Sequence, residues 1–207
     1  AAGGSVKRWT VIGISAEGPN ALFQFDDESF SGSQPVYRMV MTAIEDRDFR
    51  FRNFNSSSDA QKNATLIVRQ GEDYDIRYQC GVRVRGAGSR TRNPRNNRLN
   101  IPRDNPLSGT TKINLNSQYI YLQLLGSRLA SLSGIEAASA RPVQLKYNGV
   151  NRANDNDNER RYGSYLHVEA IDGQWADDHY PNDSGGNIYS KARPDVKWSI
   201  RSTEALG

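Results

Sequence analysis

The 207 residues contain one cysteine, Cys80, two histidines, His167 and His179, and two methionines. A lone cysteine excludes an intrachain disulfide and any cysteine-rich zinc site, and two histidines are too few for most histidine-based metal cages. No Ser-His-Asp or Cys-His-Asn spacing stands out, which argues against hydrolysis by a triad. Cys80 directly precedes an alternating segment, so a buried structural thiol is favoured over a nucleophile. Long hydrophobic runs are lacking too. The longest, such as Tyr119-Ile120-Tyr121-Leu122, fall far short of the roughly 18 apolar residues of a transmembrane helix, and no membrane partner is expected. The opening Ala1-Ala2-Gly3-Gly4-Ser5 has no Met, no basic segment and no apolar segment, and reads as a processed or trimmed end.

Arginine, by contrast, is concentrated. Seven arginines lie between Arg83 and Arg103, in GVRVRGAGSRTRNPRNNRLNIPR. Val82-Arg83-Val84-Arg85 alternates apolar and basic, the period of a half-buried strand, and Gly86-Ala87-Gly88-Ser89 interrupts it. A strand thus feeds a donor-rich loop. Glycine lets backbone approach a ligand closely, and planar guanidinium forks match phosphate oxygens in pairs, so the stretch reads as a phosphate cradle. The competing reading is a set of solvated outward faces paired with carboxylates. Nucleic acid is a third reading, suggested by the net charge of +4 and a pI near 9.2. It is disfavoured by the acidic patches Glu45-Asp46-Arg47-Asp48 and Asp155-Asn156-Asp157-Asn158-Glu159, which repel a polyanion. The second patch lacks the Gly and terminal Glu of a calcium loop and reads as solvated.

With 36% hydrophobic residues, the chain can bury one proper core. Strands are expected at Trp9 to Ile14, Leu22 to Phe25, Val36 to Ile44, Thr65 to Val68, Asp75 to Tyr78, Arg98 to Ile101 and Lys112 to Asn116. The acidic cluster after Ile44 suits a turn or short helix. One helix is convincing: Leu122, Leu125, Leu129 and Leu132, from near Gln118 onward, form an apolar stripe at spacings of three and four, and Gly134 ends it. Val143 to Tyr147, with the turn Asn148-Gly149, is expected to pair with Tyr165 to Glu169 around a long tip, Val150 to Tyr162. Ile171 to Trp175 opens a short helix, and Gly186 to Tyr189 forms a last strand. Trp9, Trp175 and Trp198 read as anchors of apolar packing. The order predicts an α+β fold, mainly an antiparallel sheet with one principal packing helix.

An ordered series of segments resembles the CotH family of spore-coat and kinase-like proteins: GVRVRG with Arg85-Gly86, Asn93-Pro94-Arg95, Ile113 to Asn116, the helix end Ala130 to Gly134, Tyr147-Asn148-Gly149, Gly163 to Glu169, and Asn187-Ile188-Tyr189 with Lys191 after it. Pro35 to Arg38 fits the family's entry strand, and the likeness runs roughly over residues 35–195. The resemblance implies a domain over 35–207 after an N-terminal strand and linker region, 1–34, built like the small lobe of an atypical protein kinase. It implies ATP and Mg2+ as cofactors, Arg83, Arg85 and Arg95 at phosphate, Gly86 and Gly88 in close backbone approach, Glu169 beside the link to a second lobe, and Lys191 as a further contact. The family's catalytic and metal-binding aspartates come from motifs beyond Gly207, so no catalytic or metal-ligating residue is expected in this chain. A C-terminal lobe or another protein is the implied partner, with a secreted, surface or spore-coat protein as substrate.

The departures favour a second reading. Tyr121 and Gly126 stand where the family's helix carries Asp and, one turn on, Arg, and Arg95 stands where lysine is usual. A non-catalytic structural or adhesive module of a coat, filament or extracellular assembly, on the same scaffold, is the alternative.

Overall fold

The computed structural model describes residues 32–51, 58–71, 73–86, 89–90, 94–154, 164–190 and 199–200. The expected strands at Trp9 to Ile14 and Leu22 to Phe25, the tip beyond residue 154, and Trp198 lie outside them. Eight strands make the main sheet: β1 (Val36–Val40), β2 (Lys62–Gln70), β3 (Asp73–Val84), β4 (Asn97–Asn100), β5 (Lys112–Asn116), β6 (Ala140–Tyr147), β7 (Val150–Asn151) and β8 (Tyr165–Glu169). Their order is β1-β2-β3-β4-β5-β8-β6-β7, and β1 also pairs with β6. That last pairing is parallel, Val36 beside Gln144 and Met39 beside Tyr147. It closes seven strands into a mixed barrel, with β7 hung on β6 by the Asn148-Gly149 turn.

Closure corrects the expected architecture. The expected α+β fold, a mainly antiparallel sheet with one principal packing helix like the small lobe of a kinase, is instead a closed mixed barrel. Alternation along each strand points Tyr37 and Met39, Val82 and Val84, Ile113 and Leu115, and Val143 and Leu145 into one buried cluster. The barrel therefore supplies both sides of its own core, each such side chain contributing about 1.5–3 kcal/mol of burial. The helix α2 (Ile120–Leu132) forms where expected. Gly134, at φ +73°, ends it with the Ile135 N–H on the Ala130 carbonyl at 2.9 Å and the Gly134 N–H on that of Ser131 at 3.1 Å. Its leucine stripe does not pack: Leu122, Leu125, Leu129 and Leu132 are 53–84% exposed. Helical spacing reveals that an apolar face exists, not what covers it.

Two smaller differences have local causes. The strand expected over Val36 to Ile44 stops at Val40, because Thr42 starts a helix, α1 (Ala43–Phe51): its Oγ1 accepts the Glu45 N–H at 3.2 Å. The segments expected separately at Asp75 to Tyr78 and Val82 to Arg85 are joined in one 12-residue strand, β3, which ends at Val84 and turns at Gln79, whose φ is +55°. Lastly α3 (Gly173–His179) follows β8, its first turn capped by the Asp172 carboxylate, and β9 (Tyr189–Ser190) pairs with β10 (Ser199–Ile200). Among the described residues no helix is long and apolar enough to cross a membrane.

Candidate functional site

Inward Val82 and Val84 put Arg83 and Arg85 on the outside of the barrel. Register extends that outer row across neighbouring strands: Arg83 opposes Arg98, Arg98 opposes Asn114, and Asn114 opposes Val168. Beyond Arg83, this outer face forms one wall of a cleft of about 770 Å³. Arg85, Arg98, Asn114 and Val168 line it on the sheet side, and Glu169 to Gly173 and Ser184 to Tyr189 close the other. Two residues singled out in sequence, Arg85 and Glu169, thus share one cavity.

The charged residues of the lining balance, Arg85 and Arg98 on the sheet side against Glu169 and Asp172. Beside the lining, Arg83, Arg90 and Lys112 add positive charge and Asp59 a further carboxylate, so five cationic side chains stand with three carboxylates, Asp59, Glu169 and Asp172. Arg83 Nη1 pairs with Asp59 at 2.7 Å, and Arg90 joins the same carboxylate. Arg85 Nη1 donates to Asn116 Oδ1 at 3.2 Å. Lys112 Nζ holds Asp172 at 2.6 Å, whereas Arg98 Nη2 is 3.8 Å from it. Burial and then the Arg83 charge pull the Arg98 pKa below the usual arginine range, while Asp172 and Asp59 draw it back. Guanidinium remains protonated through such shifts.

Glu169 has a different task at the rim. Its Oε2 accepts the Ser139 N–H at 2.9 Å, and both carboxylate oxygens lie 3.3 Å from His179 Nε2. His179 Nδ1 is 2.7 Å from Glu136. Burial lowers the His179 pKa, but hydrogen bonds and charge from Glu136 and Glu169 outweigh it and leave the pKa raised. The imidazole is stacked on Trp175 within α3 at 4.8 Å, and its contacts with Glu136 and Glu169 clasp α3 to the segment after α2 and the end of β8.

The remaining sequence candidates are placed elsewhere. Gly86, at φ +108°, makes the turn out of β3, and its carbonyl accepts Arg90 Nε at 2.7 Å; a Cβ there would meet Ser89 Oγ at 2.0 Å. Arg95 reaches the end of α1, donating to the Arg50 carbonyl at 3.0 Å and the Phe49 carbonyl at 3.4 Å. It caps a helix C-terminus, where a cation is favoured. Gly88 and Lys191 lie outside the described residues. Cys80 is fully buried, and its thiol is pushed up to about 11, chiefly by burial, as suits a structural thiol.

Arg98, Asn114 and Asp172 belong to the cleft and were missed in sequence. Arg98 was legible by parity: it flanks inward Leu99 just as Arg83 and Arg85 flank Val84. Asp172 carried a capping signal, standing immediately before the helix that Gly173 opens. Asn114 had no signal beyond its place in an alternating strand.

Residues 82–205 match the model of a protein family described as CotH kinase protein. The chain belongs to the CotH family. Arg85, Arg98, Asn114, Glu169 and Asp172 all fall inside the CotH match, whereas β1 and β2, which close the barrel, precede it. No curated protein matches the chain.

Proposed function

We propose that the Arg85–Arg98 cleft binds the phosphates of a nucleoside triphosphate such as ATP. In this reading the chain is the nucleotide-binding part of a CotH-type phosphotransferase acting on secreted, surface or coat proteins. The observation that carries it is the convergence of Arg85 and Arg98 on a cleft of nucleotide size, about 770 Å³, within the range of small-molecule sites. Family membership supports the same choice of ligand. Guanidinium pairs position and neutralise phosphate oxygens, which is most of what a protein contributes to phosphoryl transfer.

Mg2+ finds no ready-made cluster of ligands among the described residues. No three His, Cys, Asp or Glu side chains among them are grouped to hold a metal, and the two carboxylates that line the cleft, Asp172 and Glu169, are paired with Lys112 and His179. Phosphate binding is thus assigned to arginines alone, and transfer needs carboxylates from outside the described residues. The test is calorimetry of the 207-residue chain with ATP, AMP and adenosine. The reading expects ATP to bind tightest, adenosine hardly at all, and affinity for ATP to fall about tenfold or more in Arg98→Ala, the loss of one charge-assisted pair. Equal binding of ATP and adenosine, or no binding of either, sinks it.

One observation favours the non-catalytic alternative, a structural or adhesive module of a surface assembly. The open leucine stripe of α2, continued by Ile135 at 62% exposure, is the kind of patch that marks protein contacts. A chain that binds no nucleotide but self-associates, and that becomes monomeric on Leu125→Glu, would support it.

A further inference from the structure

Asn114 is 95% buried by its 5% exposure, yet it lines the cleft. Its Nδ2 donates to the Glu169 carbonyl at 3.4 Å, which fixes the amide orientation. Turning the amide over would set two carbonyl oxygens against each other. Oδ1 then has no hydrogen-bond donor among the described residues. A buried acceptor without a donor is costly, and such atoms in native proteins call for an explanation. Here the residue lines the cleft, one strand from Arg98, with Oδ1 itself covered.

Resting on the nucleotide reading above, we infer that Asn114 is the specificity residue of the cleft, its Oδ1 accepting a hydrogen bond from a hydroxyl of the ligand's sugar. The polarity follows from the amide: its donor is committed to Glu169, so only a donating ligand group completes it. The choice of sugar follows from distance. Paired residues on adjacent antiparallel strands have Cα atoms about 4.5–5.5 Å apart, so Asn114 stands next to the Arg98 that holds phosphate. Ribose is the part of a nucleotide bonded directly to phosphate; the base lies farther out. Reaching Oδ1 requires the wall to part, and the neighbour by register is Arg98, whose contact with Asp172 is a loose 3.8 Å. A phosphate competing for that guanidinium draws it off the strand as the sugar enters. Sites built to bond a substrate hydroxyl discriminate strongly against analogues lacking it, because the buried partner is then left unpaired.

The test is titration of the full chain with ATP, 2′-deoxy-ATP and 3′-deoxy-ATP, in wild type, Asn114→Leu and Asn114→Ser. Wild type is expected to bind ATP about tenfold tighter than at least one deoxy analogue, the value of one hydrogen bond to an otherwise unpaired group. Both variants should lose that preference by weakening ATP binding to the level of the analogue. The wild-type comparison needs no variant to fold, and Asn114→Ser is small enough to fit the site if Leu is not. ATP binding without sugar discrimination, or discrimination that survives both substitutions, overturns the role of Asn114 and leaves the nucleotide reading standing. No binding of ATP at all overturns both.

Discussion

The Tyr37 hydroxyl and His167 Nδ1 lie 2.8 Å apart, joining β1 to β8 across the barrel interior. Arg141 Nη2 donates to the same hydroxyl at 2.6 Å, so Tyr37 passes its own proton toward Nδ1, which accepts. His167 is therefore held neutral with its proton on Nε2. Burial, with the Arg141 charge second, pushes its pKa down from 6.5 to about 3. The unfolded chain binds that proton near pH 6.5 and the folded chain does not. Stability is complete above about pH 6.5 and falls as pH drops toward 3, by up to about 1.4 kcal/mol per unit from this group. Urea unfolding of wild type and His167→Gln at pH 7, 5 and 4 checks this: the gap between the two should change steadily in favour of the variant as pH falls. Parallel curves refute it.

Arg95 and Arg98 stand three residues apart in the arginine run and should separate cleanly by assay. Arg95→Ala removes donors from the end of α1 and should cost about 1 kcal/mol of stability while leaving nucleotide affinity unchanged. Arg98→Ala removes a like charge beside Arg83 and should leave stability within about 0.5 kcal/mol while weakening ATP. Melting curves and titrations on both variants decide the assignment. ATP affinity lost with Arg95 and kept without Arg98 would reverse it.

How far the chain discloses itself in sequence follows from the range of each signal. Alternation placed Val82, Val84, Ile113, Leu115, Val143 and Leu145 on strands and gave them one face, because side-chain direction is local. Pairing partners are not local. The β1–β6 contact joins Tyr37 to Leu145, more than a hundred positions away, and nothing in either alternating pattern states that they meet in parallel. The expected antiparallel sheet with one packing helix left that contact out, whereas the barrel it closes fills its own core without the helix. The same limit acts on the cleft. Arg85 announced itself beside a glycine loop, while Arg95 looked equally suitable until Phe49 and Arg50, some 45 residues earlier, claimed it.

The two leucine populations provide a direct check on closure. Leu145 is wholly buried inside the barrel, and Leu129 is 54% exposed on α2. Leu145→Ala should cost about 2–5 kcal/mol, as cavity-forming core changes do. Leu129→Gln should stay within about 0.5 kcal/mol. Denaturant midpoints of both variants measure the contrast. A large loss at Leu129 would mean that α2 is covered in solution.

His179 should respond to pH with the opposite sign to His167, which tests the clasp at the cleft rim. Its folded pKa is raised because protonation strengthens the contacts with Glu136 and Glu169. A raised folded value means that the contribution is fully present below the unfolded pKa of about 6.5 and is lost as pH rises through the folded one. His179→Gln should therefore destabilise the chain at pH 6 and make little difference at pH 9, read as the difference in unfolding free energy between variant and wild type. Glu169 borders the cleft, so the same protonation should hold α3 against β8 where ligand enters. ATP affinity measured at pH 6 and pH 9 should accordingly change more in wild type than in His179→Gln. A variant that tracks wild type in both stability and affinity across that range would remove the clasp from the working parts of the cleft.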